Sequence, residues 1–139
     1  EDRDGSETNF EQAKTEIVEK VHIAVPEFYY IPEGMEYSKF FMIPEAQMAV
    51  IKYKYNENSV YFHLMGNEKD LSQGNWKDKE KVQIETLDEV LDVEMGTMSE
   101  NEEENYYAVW KYKDAYYELS GQIEKEEIVK ILNGMQYNL

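Results

Sequence analysis

The sequence QMAVIKYKYNENSVYFHLM, residues 47–65, carries the clearest structural signal in the chain. Apolar and polar side chains alternate on both sides of its centre, a pattern typical of strands with one covered face and one wet face. The central Asn56-Glu57-Asn58 consists of residues that favour a turn. We therefore predict an antiparallel β-hairpin over this stretch.

The same alternation continues outward from this hairpin in both directions. Upstream it predicts a short strand at Tyr37–Met42. Downstream, residues 106–113 and 115–119 are predicted to form a second hairpin whose aromatic side chains pack across the strands. Residues 81–95 favour one or two strands around a turn. The irregular composition of residues 66–81 predicts a long surface loop.

Two amphipathic helices are predicted outside the sheet. The first begins near Thr8, which with Glu11 has the spacing of a capping box, and apolar residues recur behind them at helical spacing. In the second, Glu124 is a weak N-cap and Gly134 is a suitable C-cap.

Together these elements predict a single α+β domain over residues 1–139. We expect an antiparallel sheet of about five to seven strands in hairpins, occupying most of residues 35–119. The N-terminal helix at 8–24 and the C-terminal helix at 123–134 are expected to pack on one face of that sheet. Residues 1–7 are polar and are expected to be disordered.

The charge balance restricts the possible partners. The 139 residues include 14 Lys or Arg and 30 Asp or Glu, which gives a formal net charge of −16. Nucleic acid and direct binding to an anionic membrane are disfavoured, because such partners need a basic face; the one local excess of positive charge is Lys77–Lys81. A hydrophobic content of 42% argues against a disordered chain.

Cysteine usage and hydropathy bear on the compartment. No cysteine is present, which excludes disulfides and thiolate sites and is compatible with several compartments. No apolar run approaches the roughly 20 residues that span a bilayer, and Met48–Ile51 is typical of the longest. Because the chain starts at Glu1 rather than Met, we expect an excised piece of a longer protein, with any membrane anchor upstream.

The two histidines do not form a catalytic or metal motif with their sequence neighbours. His22 falls near the end of the first helix, and His63 alternates with Tyr61 and Met65 on the wet side of a strand. Since histidine chemistry depends on partners, His63 is interpreted as a solvent-side strand residue. No glycine-rich phosphate loop is present either. We predict no catalytic residues, no metal site and no cofactor.

The carboxylates offer two weak candidates for chemistry. Asp88, Glu89, Asp92 and Glu94 could bring two acids to the separation that glycoside hydrolysis needs, although accidental pairs are expected in so acidic a chain. The run Glu100–Glu104 could bind calcium weakly, yet it lacks the spacing and central glycine of an EF-hand loop. A solvated acidic loop is the better interpretation.

Adjacent tyrosines are the most unusual remaining feature. They occur at Tyr29-Tyr30, Tyr106-Tyr107 and Tyr116-Tyr117. In a strand, neighbouring side chains point to opposite faces, so one Tyr of each pair is predicted to lie in the core. The other is either an ordinary part of the sheet surface or a platform for a peptide, glycan or protein partner.

Two stretches together resemble an uncharacterised family, a domain of unknown function of Gram-positive bacteria. Residues 28–37, FYYIPEGMEY, are similar to its Pro-Glu-Gly turn, and residues 109–121, VWKYKDAYYELSG, are similar to its Trp-bearing hairpin, which is followed by a final helix. The similarity extends over about Ala13 to Met135. It implies an extracytoplasmic domain, often C-terminal to a membrane-spanning segment in proteins related to anti-sigma factors, or carried on lipoproteins. It transfers no catalytic residues.

The expected function is therefore a non-enzymatic extracytoplasmic binding or sensing module, located at the cell surface and bound to a protein, peptide or small ligand. The alternative is a carrier of small ligands or lipids with a pocket under a curved sheet. A hydrolase that uses paired carboxylates and an acidic mimic of nucleic acid are further options. The sequence does not specify the binding residues or the oligomeric state.

Overall fold

An antiparallel sheet dominates the computed structural model, which describes residues 9–67, 76–100 and 103–137. About 55% of these residues lie in strands and about 20% in helices. The elements in chain order are α1 (Phe10–Val21), β1 (Glu27–Phe28), β2 (Met35–Ile43), a 3₁₀ turn (Pro44–Ala46), β3 (Met48–Tyr55), β4 (Asn58–Met65), β5 (Lys77–Glu85), β6 (Val90–Glu100), β7 (Glu103–Tyr112), β8 (Ala115–Gly121), α2 (Lys125–Asn133) and β9 (Met135–Gln136).

The sheet is built from two groups of hairpins joined at its centre. Its seven strands have the order β2-β3-β4-β8-β7-β6-β5, and neighbouring strands are antiparallel. After β4 the chain therefore crosses to the far edge, where β5 starts, and returns strand by strand to pair β8 with β4. The short strands β1 and β9 form a separate two-stranded sheet.

Short turns fix the register of the hairpins predicted at 47–65 and 106–119, and both hairpins are present. Asn56 between β3 and β4 has a φ of 57°, and Lys113 between β7 and β8 has a φ of 54°. Asparagine tolerates this left-handed conformation better than most residues, whereas lysine adopts it at some cost.

One face of the sheet, which we name the apolar face, holds most of the core. Alternate residues of six strands are buried there, and the apolar stripes of the helices belong to the same buried cluster. At its centre the ring of Phe62 stacks on Trp110 and Tyr117, with centroids 6.0 Å from each. The buried strand residues of this face include Phe40, Met42, Ile51, Tyr53, Val60, Phe62, Leu64, Val93, Ala108, Trp110, Tyr117 and Leu119.

The helix ends show how local polar groups set the boundaries. The predicted cap Thr8 lies outside the described residues, and α1 is instead capped by Asn9, which forms a reciprocal capping box with Gln12. Glu124 is the N-cap of α2 as predicted, but its side chain does not cap the helix. It accepts a hydrogen bond from Tyr55 Oη at 2.9 Å, which ties α2 to β3.

The predicted α+β class, with both helices packed on one face, is wrong because the domain is mostly β. The helices do not flank a face as a pair: α1 contacts β2 and β3, and α2 contacts β5 at the opposite edge. Two segments account for the extra strand content. Residues 77–81, predicted as loop, begin β5, and the acidic stretch predicted as a loop at Glu100–Glu104 belongs partly to β6 and β7, with Glu100 paired to Glu103.

Candidate functional site

The second face of the sheet, which we name the open face, is formed by the residues that alternate with those of the apolar face. Its central row runs across three strands, because His63 on β4 lies opposite Glu118 on β8, and Glu118 lies opposite Val109 on β7. The neighbouring row contains Tyr61 opposite Ser120, and Ser120 in turn opposite Tyr107, so aromatic, acidic and hydroxyl groups converge at the centre of this face.

Burial on the open face is the main surprise of the structure. Met65, Tyr107 and Val109 are buried although they are not part of the core cluster of the apolar face. Glu118 is also buried, with 4% of its surface exposed. A buried carboxyl group is costly unless polar neighbours or a charged partner compensate it, and the adjacent His63 is one such polar neighbour.

His63 lies beside that carboxyl group and shares its desolvation. Burial lowers the pKa of His63 below its ordinary value, and the nearby Glu118 offsets part of that effect. The imidazole is therefore held mainly neutral at pH 7, with one nitrogen able to donate a hydrogen bond and the other able to accept one. His63 lies on the face opposite Phe62, as predicted, but it is half-buried within a polar cluster rather than fully exposed to solvent.

Tyr107 forms the floor of the same region. Its ring crosses the opposite strand over Gly96, where an added Cβ would overlap the hydroxyl group and the ring edge. Burial, followed by the charges of Glu94 and Glu118, raises the pKa of Tyr107, so its hydroxyl stays protonated. The side chain is 3% exposed, and its hydroxyl has no hydrogen-bond partner within the described ranges.

Trp76 packs against Tyr107 at the start of β5. Its indole N–H is also buried and lacks a hydrogen-bond partner among residues 9–67, 76–100 and 103–137. Two adjacent polar groups in this state are unusual in a folded protein, because buried donors are nearly always satisfied. Both side chains border the same depression on the open face.

These groups line a cleft of about 410 Å³. That volume falls in the range of small-ligand pockets, about 300–1,000 Å³. The residues that line the cleft are Ser59, Tyr61, His63, Trp76, Met98, Glu103, Asn105, Tyr106, Tyr107, Glu118, Ser120, Gly121 and Gln122.

The structure separates the four acids proposed as a hydrolytic set. Asp88 lies in the turn between β5 and β6, where its carboxylate oxygens accept from the Tyr137 backbone N–H at 3.2 Å and thereby hold the C-terminal segment. Glu89 is in the same turn, and its N–H donates to Thr86 Oγ1 at 2.8 Å. Asp92 and Glu94 lie further along β6, so the four acids do not converge on one site.

The remaining sequence candidates lie outside the cleft or form only part of it. His22 is exposed at the C-cap of α1. Lys77–Lys81 are exposed on the edge strand β5. Of the acidic stretch, Glu103 lines the cleft and Glu104 is exposed beside it, whereas residues 101–102 are not described. Within the described ranges, no group of three or more His, Asp or Glu side chains could hold a metal ion.

The tyrosine pairs divide between environments, though not always as predicted. In the third pair Tyr117 is in the core and Tyr116 is half-buried on the open face. In the second pair the more buried member, Tyr107, lies on the open face, so alternation alone misassigns it. The first pair lies outside the strands: Tyr29 is exposed, and Tyr30 donates a hydrogen bond to Glu127 of α2 at 2.5 Å.

The buried side chains of the apolar face and those of the helices belong to one continuous cluster. The carrier alternative requires a pocket beneath the sheet, whereas the cleft described above opens on the opposite face. Neither helix in the part of the chain that the structure describes is long and apolar enough to cross a membrane.

Fold and cleft together define a mostly β domain with a ligand-sized depression on one face of an antiparallel sheet. The chain belongs to the family described as Domain of unknown function (DUF4367), which it matches over residues 25–135. That range contains the whole seven-stranded sheet and every residue of the cleft, and it confirms the predicted membership of an uncharacterised domain family. No curated protein and no solved structure matches the chain.

Proposed function

We propose that this domain is a non-enzymatic, extracytoplasmic binding module, and that it captures a ligand in the cleft of the open face as the sensing part of a larger membrane-anchored protein. The observation that supports the proposal most directly is the buried hydroxyl of Tyr107, which lines the cleft without a hydrogen-bond partner among the described residues. The free protein already bears the desolvation cost of this buried hydroxyl. A ligand that forms a hydrogen bond with it would therefore bind more tightly.

Several observations favour binding over turnover. The cleft contains a neutral histidine and a buried carboxyl group, but the acids that a hydrolase would use are dispersed, and Asp88 is engaged in holding the backbone of Tyr137. Aromatic and small polar side chains make up most of the lining. This composition is typical of surfaces that recognise a ligand by stacking and hydrogen bonding.

The extracytoplasmic part of the proposal rests on what the sequence resemblance of residues 28–37 and 109–121 implies. The formal net charge of −16 also suits a domain that stays soluble beside anionic polymers rather than binding them.

The binding proposal is tested by an NMR screen of the ¹⁵N-labelled domain against peptides, saccharides and small organic molecules. We expect hits to shift the amides of Tyr61, His63 and Ser120. The substitution Tyr61→Ala, in the cleft, should weaken the binding of these ligands by about tenfold. The matched control Tyr29→Ala changes an exposed tyrosine outside the cleft and should leave them unchanged. The proposal would be contradicted if the ligands shifted amides on other surfaces, or if Tyr61→Ala left their affinity unchanged.

The location is tested separately, in intact cells that produce the full-length protein. Externally added protease should remove the domain without permeabilising the cells. Protection in intact cells, with digestion only after permeabilisation, would contradict an extracytoplasmic location while leaving the binding site untouched.

A further inference from the structure

The charged residues that line the cleft are acidic within the described ranges: they are Glu103 and Glu118, with no Lys or Arg. Lys79 is not part of this lining, but its ammonium nitrogen lies 6.0 Å from the centroid of the Trp76 ring. Glu94 lies just beyond, close enough for its charge to raise the pKa of Tyr107 together with Glu118. A desolvated carboxyl group beneath a lining whose described charges are acidic favours a cation over an anion as ligand.

The aromatic walls suit the same type of ligand. Tyr61 and Tyr107 face the cleft beside Trp76, and the negative face of an aromatic ring attracts an ammonium group, most strongly where the site is desolvated. The Tyr107 hydroxyl oxygen can accept a hydrogen bond from that ammonium group. The buried carboxyl group, the aromatic rings and the Tyr107 hydroxyl therefore all favour a positively charged hydrogen-bond donor as ligand.

The Trp76 indole requires a different group from the ligand. An indole N–H can only donate, and this N–H is buried without a partner in the described part of the chain. The ligand must therefore bring an acceptor oxygen near its ammonium group. A peptide does so at every residue through its backbone carbonyl groups.

From this combination we infer that the cleft binds a primary ammonium group of a basic peptide, with the ammonium at Glu118 and Tyr107 and a peptide carbonyl at Trp76. The inference rests on the proposed function and names its ligand class. A peptide with several positive charges is favoured over a singly charged amino sugar, because a net charge of −16 accelerates the association of a polycation.

The test is calorimetric titration of the domain with trilysine blocked at both ends, the same peptide acetylated on each side-chain amine, and glucosamine. We expect trilysine to bind at least about tenfold more tightly than the acetylated peptide, because only it offers charged donors to the carboxyl group. Its binding should shift the Trp76 indole N–H signal in NMR spectra.

Three variants locate the interaction. Glu118→Gln, which keeps the shape of the side chain, should weaken the binding of trilysine by about tenfold or more. Tyr107→Phe should weaken the same binding by about threefold. The matched control Glu57→Gln removes the same charge from the exposed β3–β4 turn and should have little effect. Thermal unfolding of each variant verifies that it is folded, so that Tyr107→Phe remains informative if Glu118→Gln fails to fold.

The outcomes separate this inference from the proposed function. Equal binding of the acetylated peptide, with shifts at the open face, would overturn the ammonium inference and leave the binding module intact. If glucosamine bound more tightly than trilysine, the ligand class would be an amino sugar rather than a basic peptide, and the inference would be wrong. No binding of trilysine, or equal losses in Glu57→Gln and Glu118→Gln, would also overturn the inference, whereas the library screen judges the proposed function independently.

Discussion

The two faces of the sheet share the same strands but use burial for different purposes. On the apolar face, Phe62, Trp110 and Tyr117 stack with ring centroids about 6 Å apart, so burial there is matched by close packing. On the open face, Glu118 and Tyr107 are as deeply buried, yet the Tyr107 hydroxyl has no partner among the described residues. Burial of apolar rings stabilises the fold, whereas burial of a hydroxyl that lacks a partner costs stability, which is the cost that a ligand of the proposed binding site would relieve.

The largest effect should come from the centre of the apolar face. Phe62→Ala removes a fully buried ring that contacts Phe28, Trp110 and Tyr117, and we expect a loss of about 3–5 kcal/mol in the free energy of unfolding. Denaturant titration measures it. The neighbouring variant Tyr61→Ala, on the open face, is the control and should cost about 1 kcal/mol or less. Equal losses would mean that the two faces do not differ as described.

The two tryptophans provide a second comparison between the faces. Trp110→Phe removes an indole N–H that donates to Tyr137 Oη at 3.0 Å in the core, and the lost hydrogen bond together with the smaller buried ring should cost about 1–3 kcal/mol. Trp76→Phe removes an N–H without a partner in the described residues. Its effect on the free energy of unfolding, measured by denaturant titration, should therefore be close to zero. A loss in Trp76→Phe as large as that in Trp110→Phe would show that the Trp76 N–H is satisfied in solution.

Steric fit on the open face is tested at Gly96. Gly96→Ala places a methyl group against the buried Tyr107 hydroxyl and ring, and we expect a loss of about 1–3 kcal/mol from overpacking. Gly66→Ala is the matched control, because its methyl group would meet only the flexible, exposed side chain of Gln47. Thermal unfolding of both variants checks the difference. Similar melting temperatures would contradict the rigid packing of Tyr107 over Gly96.

The apolar face could be predicted from the sequence because its signal is local. Alternation around residues 47–65 and 106–119 specifies which side chains of each strand share a face, and both hairpins are observed. The class and the helix placement could not be obtained in this way. Residues 77–81 show no alternation of apolar and polar side chains, because all five are charged. Their pairing with β6 depends on contacts with a later part of the chain.

The cleft was missed for a related reason. Period-two alternation assigns polar residues such as His63 and Glu118 to solvent. It does not show that Trp76, which immediately precedes β5, covers part of the open face by packing on Tyr107. The pairing of His63 with Glu118 depends on β4 meeting β8, a contact between segments more than 50 residues apart. The one available signal was the excess of adjacent tyrosines, which pointed to a platform but not to its position.

The smallest expected effect concerns proton uptake on the open face. Burial lowers the pKa of His63 in the folded state. As the pH falls below about 6.5, the unfolded chain therefore binds a proton at this histidine before the folded chain does. The free energy of unfolding should decrease over this range, down to the pKa of His63 in the folded state. His63→Gln removes this step, so its stability should vary less with pH between about pH 7.5 and about pH 5.5, above the range where most carboxylates titrate. Denaturant titrations across that range compare the two proteins. Parallel curves would mean that His63 is as well solvated in the folded chain as in the unfolded one, and that the polar cluster of the open face is wetter than its burial indicates.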